Sequence, residues 1–263
     1  MIRFCSLFSG SSGNAIFLRV DDTRILIDAG ISARRITNAL AEIGEDASQL
    51  NSIIVTHEHS DHSCGLGVMS RRFRLPIFAN AKTWAVMSGL ACEISSENVR
   101  LFENDTDFEI DGIVIRSFAI PHDAADPVGF NMFAHDRKIT VATDIGHINM
   151  ALLENFTGSD IILIESNHDV EMLRVGRYPW YLKQRILSDS GHLSNEMAGK
   201  VVCYLAEKGT QRFVLGHLSK ENNFPELAYQ TVSSELLLKE ITPGKDIELF
   251  VALRDKVGLV HEL

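Results

Sequence analysis

Cysteine, proline and tryptophan are scarce in this 263-residue sequence, at 4, 6 and 2 residues. The cysteines, Cys5, Cys64, Cys92 and Cys203, are scattered and no Cys-x-x-Cys pair occurs. That excludes a zinc ribbon, a thioredoxin-type site and a disulfide-stapled scaffold, and the four are expected to be reduced thiols. No apolar run approaches the roughly 20 residues needed to span a bilayer. The N-terminal stretch MIRFCSLFSGSSGN is broken by Ser and Gly too early to hold the apolar core of a signal peptide. A cytoplasmic protein without membrane association is expected. Basic residues are outnumbered, 25 against 35, for a formal net charge of -10. Taken alone, this argues against a chiefly electrostatic nucleic-acid binder. It does not decide a local site, because carboxylates that bind metal are counted here without the metal's charge.

What is present is ordinary globular material: 45% hydrophobic residues, 18 glycines, no low-complexity stretch and no linker. One domain over residues 1–263 is expected. Phe4–Ser9, Ala15–Val20 and Arg24–Asp28 read as short strands separated by turn compositions. Ser32 is placed to cap a helix running through Ile43, with Ile36, Leu40 and Ile43 on one face. Ser52–Thr56 reads as a buried strand, followed by a helix that extends to about Arg74. Hairpins are expected around Asp111-Gly112 and His135-Asp136-Arg137. Asp160–Glu165, Arg212–Leu215, Ile247–Leu253 and Val257–Val260 read as strands, and helices fall near 148–156, 180–187, 195–208 and 225–240. Grouped strands with helices at intervals predict a layered α/β domain with sheets between helices.

The strongest chemical signal is Thr56-His57-Glu58-His59-Ser60-Asp61-His62. Four metal-capable side chains, His57, His59, Asp61 and His62, stand within six residues. Imidazole and carboxylate suit zinc, and also manganese or iron. The spacing does not fit one helix face, where ligands recur at i, i+3 or i+4. It fits a loop at the C-terminal end of a strand, turning ligands toward two neighbouring ions. Three later strands end the same way, in Pro121-His122, Thr143-Asp144 and Gly216-His217.

These residues together resemble the metallo-β-lactamase superfamily: THEHSDH, then a histidine, then a strand-ending TD and a strand-ending GH, after an early Asp28-Ala29-Gly30. The resemblance runs over nearly the whole chain and implies an αββα sandwich with a two-metal site between the sheets. It implies that His57, His59 and His122 bind one divalent ion, that Asp61, His62 and His217 bind the second, and that Asp144 bridges them. Zinc or manganese is implied, with iron also suited. Within the superfamily, SLFSGSSGNAIFL, ESNHD and SDSGHLSN resemble the YycJ/WalJ-type branch, which implies a DNA exonuclease. Two ions about 3.5–4 Å apart can hold a bridging hydroxide and clamp a phosphoryl oxygen. Asp61 is accordingly a catalytic as well as a ligating candidate.

Other residues carry weaker signals. His192, in Ser190-Gly191-His192-Leu193-Ser194, is a candidate for contacting the scissile phosphate or protonating the leaving oxygen, by resemblance to phosphodiesterase members. The alternative is capping of the next helix by Ser194, with His192 merely adjacent. His168 is a candidate phosphate contact or supporting group, against a plain loop role, and Asp28 a candidate orienting group for the metal loop. Cys64 reads as a packed thiol. Ser9–Asn14 could offer backbone N–H groups to phosphate or be a simple tight turn. Arg174, Arg177, Lys183 and Arg185 are interleaved with Tyr178, Trp180 and Tyr181, a composition suited to nucleic-acid backbone and exposed bases. The alternative there is a solvated amphipathic helix, and Arg71, Arg72 and Arg74 read as a solvated helix end. A binuclear phosphodiesterase acting on DNA is therefore expected. Hydrolysis of a small ester, thioester or cyclic phosphodiester stands as the other reading, favoured by the acidic net charge.

Overall fold

The structure is a computed structural model that describes residues 1–89 and 93–263; Cys92 lies outside the described residues. In chain order the elements are β1 (Ile2–Phe8), β2 (Ala15–Val20), β3 (Thr23–Ile27), α1 (Ala33–Glu42), β4 (Ser52–Ile54), α2 (Ser60–Ser63), α3 (Leu66–Phe73), β5 (Ile77–Asn80), α4 (Ala81–Met87), β6 (Val99–Phe102), β7 (Asp107–Ile110) and β8 (Ile113–Ala119). They continue with β9 (Val128–Ala134), β10 (Arg137–Ala142), α5 (Met150–Phe156), β11 (Ile161–Glu165), α6 (Val170–Val175), α7 (Trp180–Ile186), α8 (Asn195–Glu207), β12 (Arg212–Gly216), α9 (Pro225–Leu238), β13 (Glu248–Val251) and β14 (Val260–Glu262). The chain forms two compact units, Met1–Ser117 with Ala124–Val128 and Leu253–Leu263, and Phe118–Asp123 with Gly129–Ala252.

The first unit is built on a sheet in the order β14-β1-β2-β3-β4-β5-β6. Pairing is antiparallel from β14 to β3 and parallel from β3 to β6. Parallel neighbours need a crossover, and α1, α2 with α3, and α4 fill the three connections. Ile36, Ala39 and Leu40 of α1 and Leu66 and Met69 of α3 close a core with Leu7, Phe17, Leu26 and Ile53 from the strands. The expected hairpin β7–β8 is present, pairing Ile110 with Ile113. Asp111 and Gly112 have φ of 44° and 89°, the double left-handed geometry that matches the twist of a two-residue hairpin.

In the second unit β9 to β13 follow one another in the order β13-β12-β11-β10-β9. β9 and β10 are antiparallel, and β10 to β13 are parallel. Ile162, Ile164, Phe213 and Leu215 pack with Leu152 and Phe156 of α5, Val201, Val202 and Leu205 of α8 and Val232 and Leu236 of α9. β11, Ile-Ile-Leu-Ile-Glu, is buried throughout, as the unbroken apolar run of a central parallel strand requires.

This is the expected α/β class, with two sheets and helices flanking them. Several local expectations change. Ser32 occupies the N-cap position of α1 but its side chain makes no capping hydrogen bond. The helix expected after THEHSDH is interrupted: α2 stops at Ser63 and α3 begins at Leu66. Gly65 stands between them, where a Cβ would lie 2.2 Å from the Ile31 carbonyl oxygen. The last strand is Val260–Glu262 rather than 257–260. β5, α4, β6 and α6 were not anticipated; each is four to seven residues long, too short to show a period. No helix among the described residues is long and apolar enough to cross a membrane.

Candidate metal centre

In the first unit the site begins where β3 ends. Asp28 takes a left-handed φ of 61°, a conformation Asp tolerates better than most residues. Its buried carboxylate accepts from the Thr56 amide at 2.8 Å, the Thr56 hydroxyl at 2.8 Å and Nδ1 of His62 at 2.7 Å. A carboxylate only accepts, so His62 carries its proton on Nδ1, and its Nε2 lone pair accepts from the Asn14 side-chain amide at 3.0 Å, a contact that a bound cation would displace. The Thr56 hydroxyl, having donated to Asp28, accepts from His57 Nδ1 at 3.0 Å, so the same tautomer follows for His57. His57 Nε2 lies 3.1 Å from Nδ1 of His59. Two donors around one tetrahedral ion at about 2.0–2.1 Å stand roughly 3.3 Å apart, so this spacing fits a shared cation. Asp61 Oδ2 is 3.6 Å from His62 Nε2.

Backbone contacts hold this loop. The Ala29 amide donates to the His62 carbonyl, Gly30 to Asn14 and Asn14 to Asp61, at 2.7 to 2.9 Å. Gly30 is required there: a Cβ would lie 1.6 Å from the Asp61 carbonyl oxygen. Asn14, the last residue of the Gly/Ser-rich turn, thus braces the metal loop. Glu58 braces it too, with Oε1 accepting from the Ala125 amide at 2.8 Å.

In the second unit the candidates sit at the C-terminal ends of three adjacent parallel strands, the edge at which α/β sheets place ligands. Asp144 follows β10, Glu165 ends β11 and His217 follows β12. Asp144 and His217 hold φ of 60° and 56°. Left-handed backbone at two strand ends costs energy, and such positions cluster at functional sites. Asp144 Oδ1 is 3.5 Å from His217 Nε2, 3.7 Å from His122 Nε2 and 3.8 Å from His192 Nδ1. Glu165, fully buried, accepts through Oε1 from His217 Nδ1 at 2.7 Å and His192 Nδ1 at 2.8 Å. Its Oε2 accepts from the amides of Ile145 at 2.6 Å and Leu193 at 3.0 Å. Burial alone would raise the Glu165 pKa; the two imidazoles hold it below the usual carboxylate range. His122 Nδ1 lies 3.2 Å from the Gly191 carbonyl oxygen, which leaves Nε2 toward Asp144. Burial pushes the His122 pKa down, keeping the ring neutral and able to ligate.

The donor chemistry fits a divalent cation. In each unit a buried carboxylate fixes the Nδ1 proton of a histidine and presents its Nε2, the support that metal-binding imidazoles generally receive. Donor atoms of Asp144, Glu165, His192 and His217 lie within 4.8 Å of one another.

Of the remaining candidates, His168 is 1% exposed, and its ring makes no hydrogen bond among the described residues. Burial pushes its pKa down to about 4. Its backbone carbonyl accepts from the Asn195 amide, and Ser194 caps α8. The basic-aromatic segment divides. Lys183 is turned inward, Nζ donating to the Arg174 carbonyl at 2.6 Å, so it staples α6 to α7 instead of facing solvent. Arg185 is committed to Asp123 through two hydrogen bonds, and Tyr178 is half-buried. Arg174, Arg177, Trp180 and Tyr181 remain exposed. Glu165 was read only as part of a motif; an acid closing an otherwise apolar buried strand was the signal that marked it.

Comparison with known proteins shows the family. A model of the beta-lactamase superfamily domain matches residues 23–218. Exodeoxyribonuclease WalJ of Streptococcus pneumoniae serotype 2 is 40% identical over 263 residues, 99% of this chain and 98% of that protein. Exodeoxyribonuclease YycJ of Bacillus anthracis is 39% identical over 249 residues, 94% of each chain. The crystal structure of the metallo-beta-lactamase fold protein YhfI from Bacillus subtilis matches with a TM-score of 0.69 over 98% of this chain and 100% of its own; at 14% identity this likeness speaks for the fold. From the family match and the near full-length identity alike, the chain belongs to the metallo-β-lactamase superfamily, beside the WalJ and YycJ proteins.

Proposed function

We propose that the protein is a two-metal phosphodiesterase, an exonuclease acting on DNA, with residues 1–263 working as one domain. The observation that carries this reading is the 40% identity, over 99% of the chain, to a protein named an exodeoxyribonuclease. His57, His59 and His122 would hold one ion and Asp61, His62 and His217 the other, with Asp144 shared between them. Imidazole nitrogens mixed with carboxylate oxygens favour zinc or manganese over magnesium or calcium. Two such ions supply an activated water near neutral pH and positive charge for the phosphoryl oxygens.

The chain's own residues do the remaining work. Asp28 and Glu165 orient His62 and His217 through Nδ1. Asp61 would ligate one ion and help orient the attacking water. His192 directs Nδ1 to Glu165, which leaves Nε2 to carry a proton to the leaving oxygen. Five of the seven proposed ligands are neutral imidazoles, so two ions held there would keep much of their charge for the phosphoryl oxygens. Cys5 and Cys203 are buried, whereas Cys64, expected to be a packed thiol, is exposed.

The test is hydrolysis of 5′- and 3′-labelled duplex and single-stranded DNA, RNA and bis-p-nitrophenyl phosphate, with zinc or manganese, by wild type and Asp144→Ala. Wild type should degrade DNA from an end, and the variant should lose metal and nearly all turnover. Full two-ion occupancy with unchanged turnover in Asp144→Ala would overturn the ligand assignment. Activity on small esters alone would move the protein to the small-substrate class.

A further inference from the structure

Two large aromatic side chains stand outward on α7: Trp180 is 70% exposed and Tyr181 73%. They are not remnants of a failed core, because the inner side of this segment is complete. Leu173 and Ile186 are buried, and the Lys183 staple joins the two helices. Along the outward face, Tyr181 and Arg185 are neighbours one turn apart. Arg185 grips Asp123 at 2.5 and 3.0 Å, next to the candidate ligand His122. At the C-terminal end of the same helix the His192 amide donates to the Ile186 carbonyl at 3.0 Å. Gly191 allows that approach, since a Cβ there would lie 2.2 Å from the Ile186 oxygen. One end of the face is therefore fastened to the His122 and His192 loops. The aromatic pair lies about 6 Å further along the axis, at 1.5 Å per residue. Arg177, in the turn before α7, is exposed and makes no ion pair among the described residues. Arg174 shares an exposed pair with Glu171, which holds it only weakly.

We propose that Trp180 and Tyr181 form a stacking platform for the bases of an unpaired DNA strand, with Arg174 and Arg177 on its phosphates. The proposal rests on the phosphodiesterase reading and specifies its substrate: a single strand or frayed end, whose bases offer open faces, rather than a closed duplex. Cations beside the aromatics favour a polyanion with stacking bases over an apolar protein surface.

The test is fluorescence anisotropy of the metal-loaded protein with a labelled phosphorothioate single strand and with a duplex closed by hairpins at both ends. Trp180→Ala with Tyr181→Ala should weaken single-strand binding at least about tenfold and leave the closed duplex nearly unchanged. Trp180→Phe with Tyr181→Phe should restore most of the binding, because a phenyl ring still stacks. Arg177→Gln should shrink the single-strand salt slope by about 0.7. Unaltered single-strand affinity in the alanine variant, or an equal loss for the closed duplex, overturns the platform. Should the alanine variant lose metal or thermal stability, the phenylalanine and Arg177→Gln variants decide: poor binding by the first, or an unmoved slope in the second, overturns it. Wild type that binds single strands yet hydrolyses neither DNA nor bis-p-nitrophenyl phosphate would sink the phosphodiesterase reading and leave the platform. Hydrolysis of both with undiminished binding by the alanine variant would do the reverse.

Discussion

Glu165 lies 2.7 Å from Nδ1 of His217, on the opposite side of the ring from Asp144, whose Oδ1 is 3.5 Å from Nε2. The carboxylate thereby decides which nitrogen of His217 holds the proton and which faces the candidate ion. Asp28 stands in the same relation to His62, also at 2.7 Å. Both acids are buried, and both close or directly follow a strand.

Neutralising either acid should therefore weaken metal binding without removing a ligand. Glu165→Gln and Asp28→Asn keep size but lose the charge that fixes the tautomer. Supporting partners of this kind are worth about 10- to 100-fold in affinity. Competition titration against a chromophoric chelator measures it. Wild-type affinity in both variants would show that these acids serve only the local fold.

His192 differs from the ligands in being partly open, with 16% of its side chain exposed, while its Nδ1 lies 2.8 Å from Glu165. As a proton donor to the leaving oxygen it should be dispensable for metal. His192→Ala is expected to retain both ions and to lose turnover by about 100-fold or more. Elemental analysis beside single-turnover kinetics separates the cases: joint loss of metal and rate would make it a ligand, and an unchanged rate would leave it structural.

The histidine-aspartate loop stood out in the sequence because four metal-capable side chains fall in six positions, and strand-end placement followed from apolar runs that stop at His or Asp. The hairpin at Asp111-Gly112 was legible for a similar reason, since only a few dipeptides adopt two left-handed residues in succession. The supporting carboxylates were harder. Asp28 could be suspected from its position after β3, but Glu165 gains its meaning from His192 and His217, 27 and 52 residues away. Lys183 illustrates the opposite error. Composition placed it with the arginines of its segment, whereas its register on α7 turns it inward to the Arg174 carbonyl. Such contacts are set by tertiary packing, which local pattern does not encode.

Away from the site, Glu45 is the hub of a charge cluster on the first unit. It is 4% exposed and receives Arg24 at 3.0 Å, Arg19 at 3.3 Å and a short contact from Arg3. Removing the acid would leave three guanidinium groups facing one another, partly shielded from water. Glu45→Ala should cost about 3 kcal/mol, the scale for breaking a buried ion pair from one side. Urea unfolding of the metal-loaded protein reads this directly. A loss below about 0.5 kcal/mol would mean that the arginines simply swing out to solvent.

His168 gives the fold a specific acid sensitivity. Burial lowers its pKa from 6.5 to about 4, so its ring is neutral in the folded protein over that whole interval. In the unfolded chain the ring regains its ordinary pKa and binds a proton below about 6.5. Between these values the unfolded state holds more protons, so stability rises with pH and falls on acidification. The contribution is fully present above about pH 6.5, declines as pH drops, and is exhausted near pH 4, where the folded ring also protonates. At about 1.36 kcal/mol per unit, the total is about 3 kcal/mol. Metal ligands also take up protons in this range, so the informative quantity is a difference between two proteins. Denaturant unfolding of wild type and His168→Asn, each followed from pH 7.5 to 4, should show wild type losing about 3 kcal/mol more than the variant. Parallel curves would mean that the His168 ring finds a hydrogen-bonding partner when protonated, and that the acid sensitivity belongs to the ligands alone.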